Sequence, residues 1–442
     1  MARAVIGAIA VVALAGGCFR ETAAPGAGRA LAIWQELDRA EAGRARAAAS
    51  EPAAAGGELT LGPDQAYALA AAASLEVAIE DAEAEVDEAG ILAARQLENP
   101  EVRLTNFRPG GLEGGRAALD LAVRVPIPRP WNLHAGARAA RLTAAASRTD
   151  VDEARRRLRA RVHTLFARLA QLRGDQALVE QIVRLQAKRR TIVKSRVDKA
   201  LATLLDLQLV DVAHQQRTAE IVRIVDKIAA IEGDLRRLCA AGPQVRFRSD
   251  AAALARVEAP RDRVALTEQA LANRPDVRAA AHRVGGAEAG AYVARGSAVP
   301  WFGWAQIGHE LPGRTGAWGF GVTIDVPLLS WKRGQIRRAD AQVRLRKLEE
   351  QAAIRGVIHE IDEALERVRS TAAYARRIEA GLVAELDAAV QIATRASDGG
   401  ALDPLKLVEL EIERVEARRR HLAALLEHRE AVIELEAALA AP

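Results

Sequence analysis

The feature that most constrains this chain is that it repeats itself. Residues 60 to 240 and 260 to 440 carry one pattern twice, displaced by about 200 positions. Ser74-Leu75-Glu76-Val77 lines up with Arg274-Pro275-Asp276-Val277, and Pro100 lines up with Pro300. Pro126 nearly matches Pro327, and a break at Ala200 matches one at Gly399-Gly400. Each copy reads as a short helix, two strands, a very long helix, a tight break and a second long helix. One copy of such a pattern cannot bury its own apolar faces, so the two are expected to form a single pseudo-symmetric body. A tube is the shape such a chain builds, and its function is to be sought in the bore.

Composition agrees with long helices rather than a thick core. Aromatic residues are only 3% and charged residues 27% of the 442, the balance of solvated helices with narrow apolar seams. The net charge of +5 comes from 63 basic and 58 acidic side chains interspersed along the chain. Without a basic block interleaved with aromatics, nucleic-acid binding is excluded as a reading.

The N-terminus carries Arg3, an apolar run from Ala4 to Leu14, and Ala15-Gly16-Gly17 before Cys18. That is the layout of a signal peptide over residues 1–17, too short to span a bilayer. The small residues before Cys18 resemble a bacterial lipobox, with Leu14 one place further upstream than usual and Ala15 in its position. Cys18 is therefore the expected lipid attachment point, and residues 18–58 the tether. Cys239 then has no disulfide partner. No later run reaches 18 apolar residues, so no transmembrane helix is expected.

Between Pro63 and about Leu97 the pattern is helical. Leu119, Leu121, Val123 and Val125 then alternate with polar or small residues, as do Phe320, Val322, Ile324 and Val326, which is the period of a strand. Partner strands are expected at about Glu101 to Phe107 and Trp301 to His309. The joins Gly110 to Gly115 and Pro312 to Gly316 are glycine-rich, so each pair reads as a hairpin. Long helices follow, from about Leu133 to Lys194 and from about Gln335 to Ala396. At ~1.5 Å per residue the first would be on the order of 90 Å long. Val162, Leu165, Leu169, Leu172, Val179 and Val183 mark its seam. Leu405, Val408, Ile412, Val415, Leu422, Leu426 and Ile433 mark that of the last helix, interrupted by Arg419 and Arg429.

Five of the six tryptophans, Trp131, Trp301, Trp304, Trp318 and Trp331, lie in or beside the hairpins. Short alternating strands with aromatic ends are what a membrane β-barrel requires, the rings forming two interfacial belts. Four strands cannot close a barrel, and an open edge in lipid leaves backbone groups unpaired. Other copies of the chain must complete the sheet.

At this point the chain resembles the TolC-type outer-membrane efflux proteins, or outer-membrane factors, in their lipoprotein subtype. Ala270-Leu-Ala-Asn-Arg-Pro-Asp-Val277, Val322-Thr-Ile-Asp-Val-Pro-Leu328, Ala200-Leu-Ala-Thr-Leu-Leu-Asp206-Leu and the paired breaks carry the resemblance. It covers about residues 59 to 440, as repeat 1 (59–242), a linker (243–262) and repeat 2 (263–440). The resemblance implies a mainly α fold with a small β part. It implies a homotrimer whose twelve-stranded outer-membrane barrel, four strands per chain, continues into a helical periplasmic tunnel. A periplasmic adaptor protein couples such a channel to an inner-membrane pump, and the channel is a passive exit duct, not an enzyme, with no cofactor. The breaks Asp198-Lys199-Ala200 and Asp398-Gly399-Gly400 would face the adaptor. Alignment on Gly400 places Lys406 and Glu409 where the family has aperture carboxylates, with Asp206 the first-repeat equivalent of Lys406. Lys406 in place of an acid argues against a cation-binding ring. Lys406 and Glu409 either pair between subunits to hold the tip shut or simply face each other three residues apart.

Other chemistries find no support. The eight histidines are dispersed and no Cys/His set has zinc spacing. Glu360, Asp362, Glu363 and Glu366 read as a solvated helix face rather than acid–base machinery. Two other readings share features of this one: the outer-membrane duct of a type I protein secretion system, and a lipid-tethered coiled-coil scaffold, which leaves the tryptophan-bearing hairpins unexplained.

Overall fold

The computed structural model describes residues 60–108, 118–249, 254, 262–311, 318–326, 331–399 and 401–440. The signal peptide, Cys18, the tether, both glycine-rich hairpin joins, most of the linker and Gly400 lie outside the described residues.

Each repeat opens with two helices where the sequence suggested one. Helices α1 (Pro63–Ala73) and α2 (Leu75–Arg95) are separated by a single residue, Ser74, which caps α2 by accepting a 3.3 Å hydrogen bond from the Val77 N–H. Their counterparts α5 (Arg263–Asn273) and α6 (Pro275–Gly296) break at Arg274, with Pro275 at the first helical position. A short parallel pair absent from the sequence reading, β1 (Thr60–Leu61) with β4 (Arg246–Phe247), ties the start of repeat 1 to the linker that follows it. Phe247 is buried there, edge-on to Phe166 at 5.9 Å.

The hairpins β2 (Glu101–Arg108) with β3 (Ala118–Pro126), and β5 (Trp301–Leu311) with β6 (Trp318–Asp325), form as expected. They join through β3 and β5 into one antiparallel sheet of order β2-β3-β5-β6.

From β3 the chain enters α3 (Pro130–Asp198), a single helix of 69 residues with proline only at its first turn. At ~1.5 Å per residue it is about 100 Å long. It is followed by α4 (Leu204–Cys239). In repeat 2 the matching long helix is not continuous. It runs as α7 (Arg333–Arg377), a π-helical turn over Ile378–Val383, and α8 (Ala384–Asp398), before α9 (Pro404–Ala438). The sequence reading missed this wide turn.

Helix α3 is the axis of the molecule, flanked by α2 and α4 and by α6 and α9, whereas α7 is flanked by α6 and α9 with the short α5 over it. The cores between them are thin. Val162, Leu169 and Val179 are buried as the seam predicts, and Ile182 takes the place expected of Val183. In α9, Val408, Ile412, Val415, Leu422 and Ile433 are buried.

Both interruptions of the α9 seam have structural causes. Arg419 reaches Asp175 of α3 at 2.7 Å, Glu220 of α4 at 2.7 Å and Glu416 at 3.3 Å. Arg217 completes this cluster on Glu220 and Glu416. One arginine thus clamps three helices through charge-assisted bonds. Arg429 lies 3.7 Å from Glu436 of its own helix. Glu360 and Asp362 are likewise not merely solvated. Glu360 pairs with the buried Arg274, and Asp362 receives both Arg263 Nε (2.5 Å) and Nη2 (2.7 Å). These carboxylates dock α5 and α6 onto α7.

Candidate functional site

In an antiparallel sheet, residues opposite one another share a face. Leu104, Leu121, His309 and Trp318 form one row across the four strands, and Val102, Val123, Ile307 and Phe320 form the next. Most of these apolar side chains are exposed, Phe320 by 81% and Val102 by 68%. On the opposite face the rows read Arg103, Ala122, Gly308, Gly319 and Glu101, Arg124, Gln306, Gly321. One face is apolar and uncovered; the other is polar, with small residues. Both outer strands, β2 and β6, present an open edge.

The tryptophans divide between three places. Trp318 lies at the end of the sheet far from the helices and is 65% exposed. Trp131 and Trp301 meet edge-on at 4.7 Å where the sheet joins the helices, with indole N–H groups donating to the carbonyls of Gly296 and Ile127 respectively. Trp331, also at the helical end, is exposed. Trp304 departs from the expected pattern. It pairs with Thr323 on the polar face, its ring 3.7 Å from the Arg124 guanidinium, the distance of a cation–π contact. A cavity of about 380 Å³ opens at this end of the sheet, its polar lining including Arg129, Asn132 and Asp325.

The other end is the helical tip, where both repeats reverse direction. Ala200 adopts a left-handed conformation (φ 55°), with the Leu201 N–H on the Arg196 carbonyl (2.7 Å) and the Ala200 N–H on that of Val197 (2.9 Å). These bonds satisfy the last carbonyls of α3. In the second turn the Ala401 N–H reaches the Ala396 carbonyl at 2.8 Å. Asp198, Lys199, Asp398 and Gly399 all lie in these two reversals.

The three aperture candidates are held differently. Asp206 closes a capping box, its carboxylate accepting from the Thr203 N–H (2.8 Å) and hydroxyl (2.7 Å). The Thr203 N–H and hydroxyl hold that carboxyl below the usual range. Glu409 does not face Lys406; it accepts from Arg189 Nη2 of α3 at 2.9 Å. Lys406 is exposed one turn above Asp403. Asp403 caps α9 through the Leu405 N–H and pairs with Arg196, so its carboxyl too is held low. Sequence spacing could not reveal Arg189 or Arg196 as partners, because both pairs span more than 200 residues.

With this geometry in place, comparison with known proteins is decisive for the fold. A family model described as "Outer membrane efflux protein" matches residues 266–441, the second repeat. No curated protein matches the chain in sequence. Solved structures do match in shape. CusC superposes with a TM-score of 0.71 at 16% identity, over 85% of this chain and 91% of that one. The outer membrane protein VceC of Vibrio cholerae gives 0.70 at 19% identity, over 85% and 95%. The MtrE outer membrane channel of Neisseria gonorrhoeae, in its open state, gives 0.68 at 16%, over 85% and 88%. This chain has their fold. Among the described residues, no helix is long and apolar enough to cross a membrane.

Proposed function

We propose that this chain is the outer-membrane channel of a tripartite efflux system. It is a passive exit duct, assembled as a homotrimer and lipid-anchored at Cys18. It receives substrates from an inner-membrane pump through a periplasmic adaptor. The observation that carries this reading is the sheet: four strands with one exposed apolar face, one polar face and two open edges. Such a sheet is matched to lipid on one side and water on the other, and its edges demand strands from neighbouring copies. Three copies supply twelve strands, enough for a water-filled interior. We assign Trp318 at one end of the sheet, and Trp131 and Trp331 at the other, to the two aromatic belts; Trp301, opposite Asp325 in register, shares the polar face. Trp304 also lines the polar interior with Arg124. The family match over repeat 2 and the likeness to outer-membrane channels support the same assignment.

At the far end, the reversals at Asp198-Lys199-Ala200 and Asp398-Gly399-Gly400 face the adaptor. Asp206, Lys406 and Glu409 border the aperture, Glu409 through its bond to Arg189. Exposed pairs of this kind contribute at most about 1 kcal/mol each, which leaves the closed tip free to open when a partner binds. Single-channel recording in planar bilayers tests this arrangement. Lys406→Ala and Glu409→Ala are each expected to raise conductance above that of the native chain. Unchanged conductance in both removes these residues from the gate.

A further inference from the structure

Arg429 interrupts the apolar seam of α9, and its contact with Glu436 at 3.7 Å is too long for a hydrogen bond. Beside it lies a cavity of about 230 Å³. The floor is Phe166, Ala170 and Leu254, all buried, where the core of repeat 1 meets the core between α3 and α9. The rim is polar and comes from three places: His163 of α3, Arg429 of α9, and Arg248 with Ser249 just after β4. Each of these side chains can donate a hydrogen bond, and among the described residues no carboxylate lines the cavity.

The rim is held in place by the backbone around it. The Arg248 N–H extends the β1–β4 pairing by donating to the Leu61 carbonyl at 2.8 Å. Arg173, itself bound to the Phe247 carbonyl (2.7 Å) and Glu232 (2.8 Å), donates to the Ser249 hydroxyl oxygen at 3.0 Å. That hydroxyl keeps its own proton for another acceptor. His163 Nε2 is buried without a hydrogen-bond partner, 3.6 Å from Asp64. Burial lowers the His163 pKa; Asp64 opposes this, and Arg159 and Arg429 reinforce it. Two guanidinium groups above an apolar floor, beside an unsatisfied imidazole nitrogen, suit an anion that carries a hydrophobic body.

We propose that this cavity binds a small amphipathic carboxylate, its anionic end on Arg248 and Arg429 and its compact apolar body against Phe166. The volume falls below the ~300–1,000 Å³ of sites for drug-sized molecules, so the expected size is that of a bicyclic aromatic acid rather than a lipid chain. Bound there, such a molecule bridges the linker to α9 and ties the two repeats together. The site lies within one copy, so its test does not depend on how copies assemble.

Isothermal titration of the full-length chain in detergent, with detergent alone as the blank, uses 1-naphthoate as the probe. Saturable binding at one site per chain is expected. Arg248→Gln and Arg429→Gln should each weaken it about tenfold, while Arg248→Lys, which keeps the charge, should retain most of it. Arg248 is exposed, so its replacement leaves the fold intact and decides the outcome even where Arg429→Gln lowers stability. Neutral 1-naphthamide, which lacks the charge, and acetate, which lacks the apolar body, should each bind at least about tenfold more weakly. No saturation by the native chain overturns the proposal. So does 1-naphthoate binding that Arg248→Gln leaves unchanged, or binding of the amide or of acetate as tight as that of the acid.

Discussion

Arg274 shows how one side chain joins two levels of this structure. It caps a helix break, is almost fully buried, and is held by Asp276 at 2.7 and 3.0 Å, by Glu360, and by the Ala438 carbonyl. It thereby fixes α6 to α7 and to the end of α9. Burial works against the Asp276 charge, but the Arg274 guanidinium beside it outweighs that and holds the carboxyl below its usual range. Arg274→Ala leaves two carboxylates without their cation and is expected to cost about 2–3 kcal/mol, less than a fully buried pair because Glu360 is half exposed. The sign of the pH dependence follows from the depressed folded value. The contribution of Asp276 is complete above its unfolded value of about 4 and is lost as pH falls through the folded one. Denaturant titrations should therefore show the two proteins converging in stability below about pH 4. A constant difference down to pH 2 would contradict this account. The motif Asn273-Arg274-Pro275-Asp276 was legible only as a family mark. That its arginine turns inward onto Glu360 could not be read, because the partner lies 86 residues away.

Among elements, the long helices were legible and their flaws were not. Seams at three-four spacing reveal an amphipathic helix whatever it packs against, so α3 and α9 were foreseen nearly to their ends. The break at Ser74 escaped notice because serine neither forbids helix nor ends it; only its extended backbone and cap bond show the break. The π turn at Ile378–Val383 escaped for a similar reason, since Ile-Glu-Ala-Gly-Leu-Val keeps ordinary helical composition. A π turn accommodates one residue more than the α-helix around it. Deleting Gly381 is thus expected to return this stretch to α geometry while α7 and α8 keep their present faces. Deleting Ile182, fully buried in the continuous α3, instead rotates everything beyond it by about 100°. On native gels the first deletion should still assemble, with a melting temperature within a few degrees of the parent, and the second should not. Equal failure of both would mean that the wide turn has a role of its own.

For the whole molecule, the repeat revealed the architecture, but the faces needed coordinates. Alternation in β3 and β6 predicted one apolar face, and pairing through β3 and β5 shows that all four strands agree on which face that is. Counted back from Ile307, the same alternation puts Trp304 with Gln306 and Gly308 on the polar side; what it could not show is the register shift between Phe302 and Trp304, which sets Phe302 opposite Ile324 on the apolar face. An uncovered apolar surface built from residues such as Phe320, Val322 and Ile324 should make the protein dependent on amphiphile. After membrane extraction, removing detergent is expected to precipitate it. A monodisperse particle in plain buffer would end the channel reading. The unbroken length of α3 has a last consequence. A rod of 69 residues is a ruler: in the proposed channel it fixes the gap that can be bridged between envelope layers. Any change of that reach must be made in matched whole turns, simultaneously in both halves of the chain.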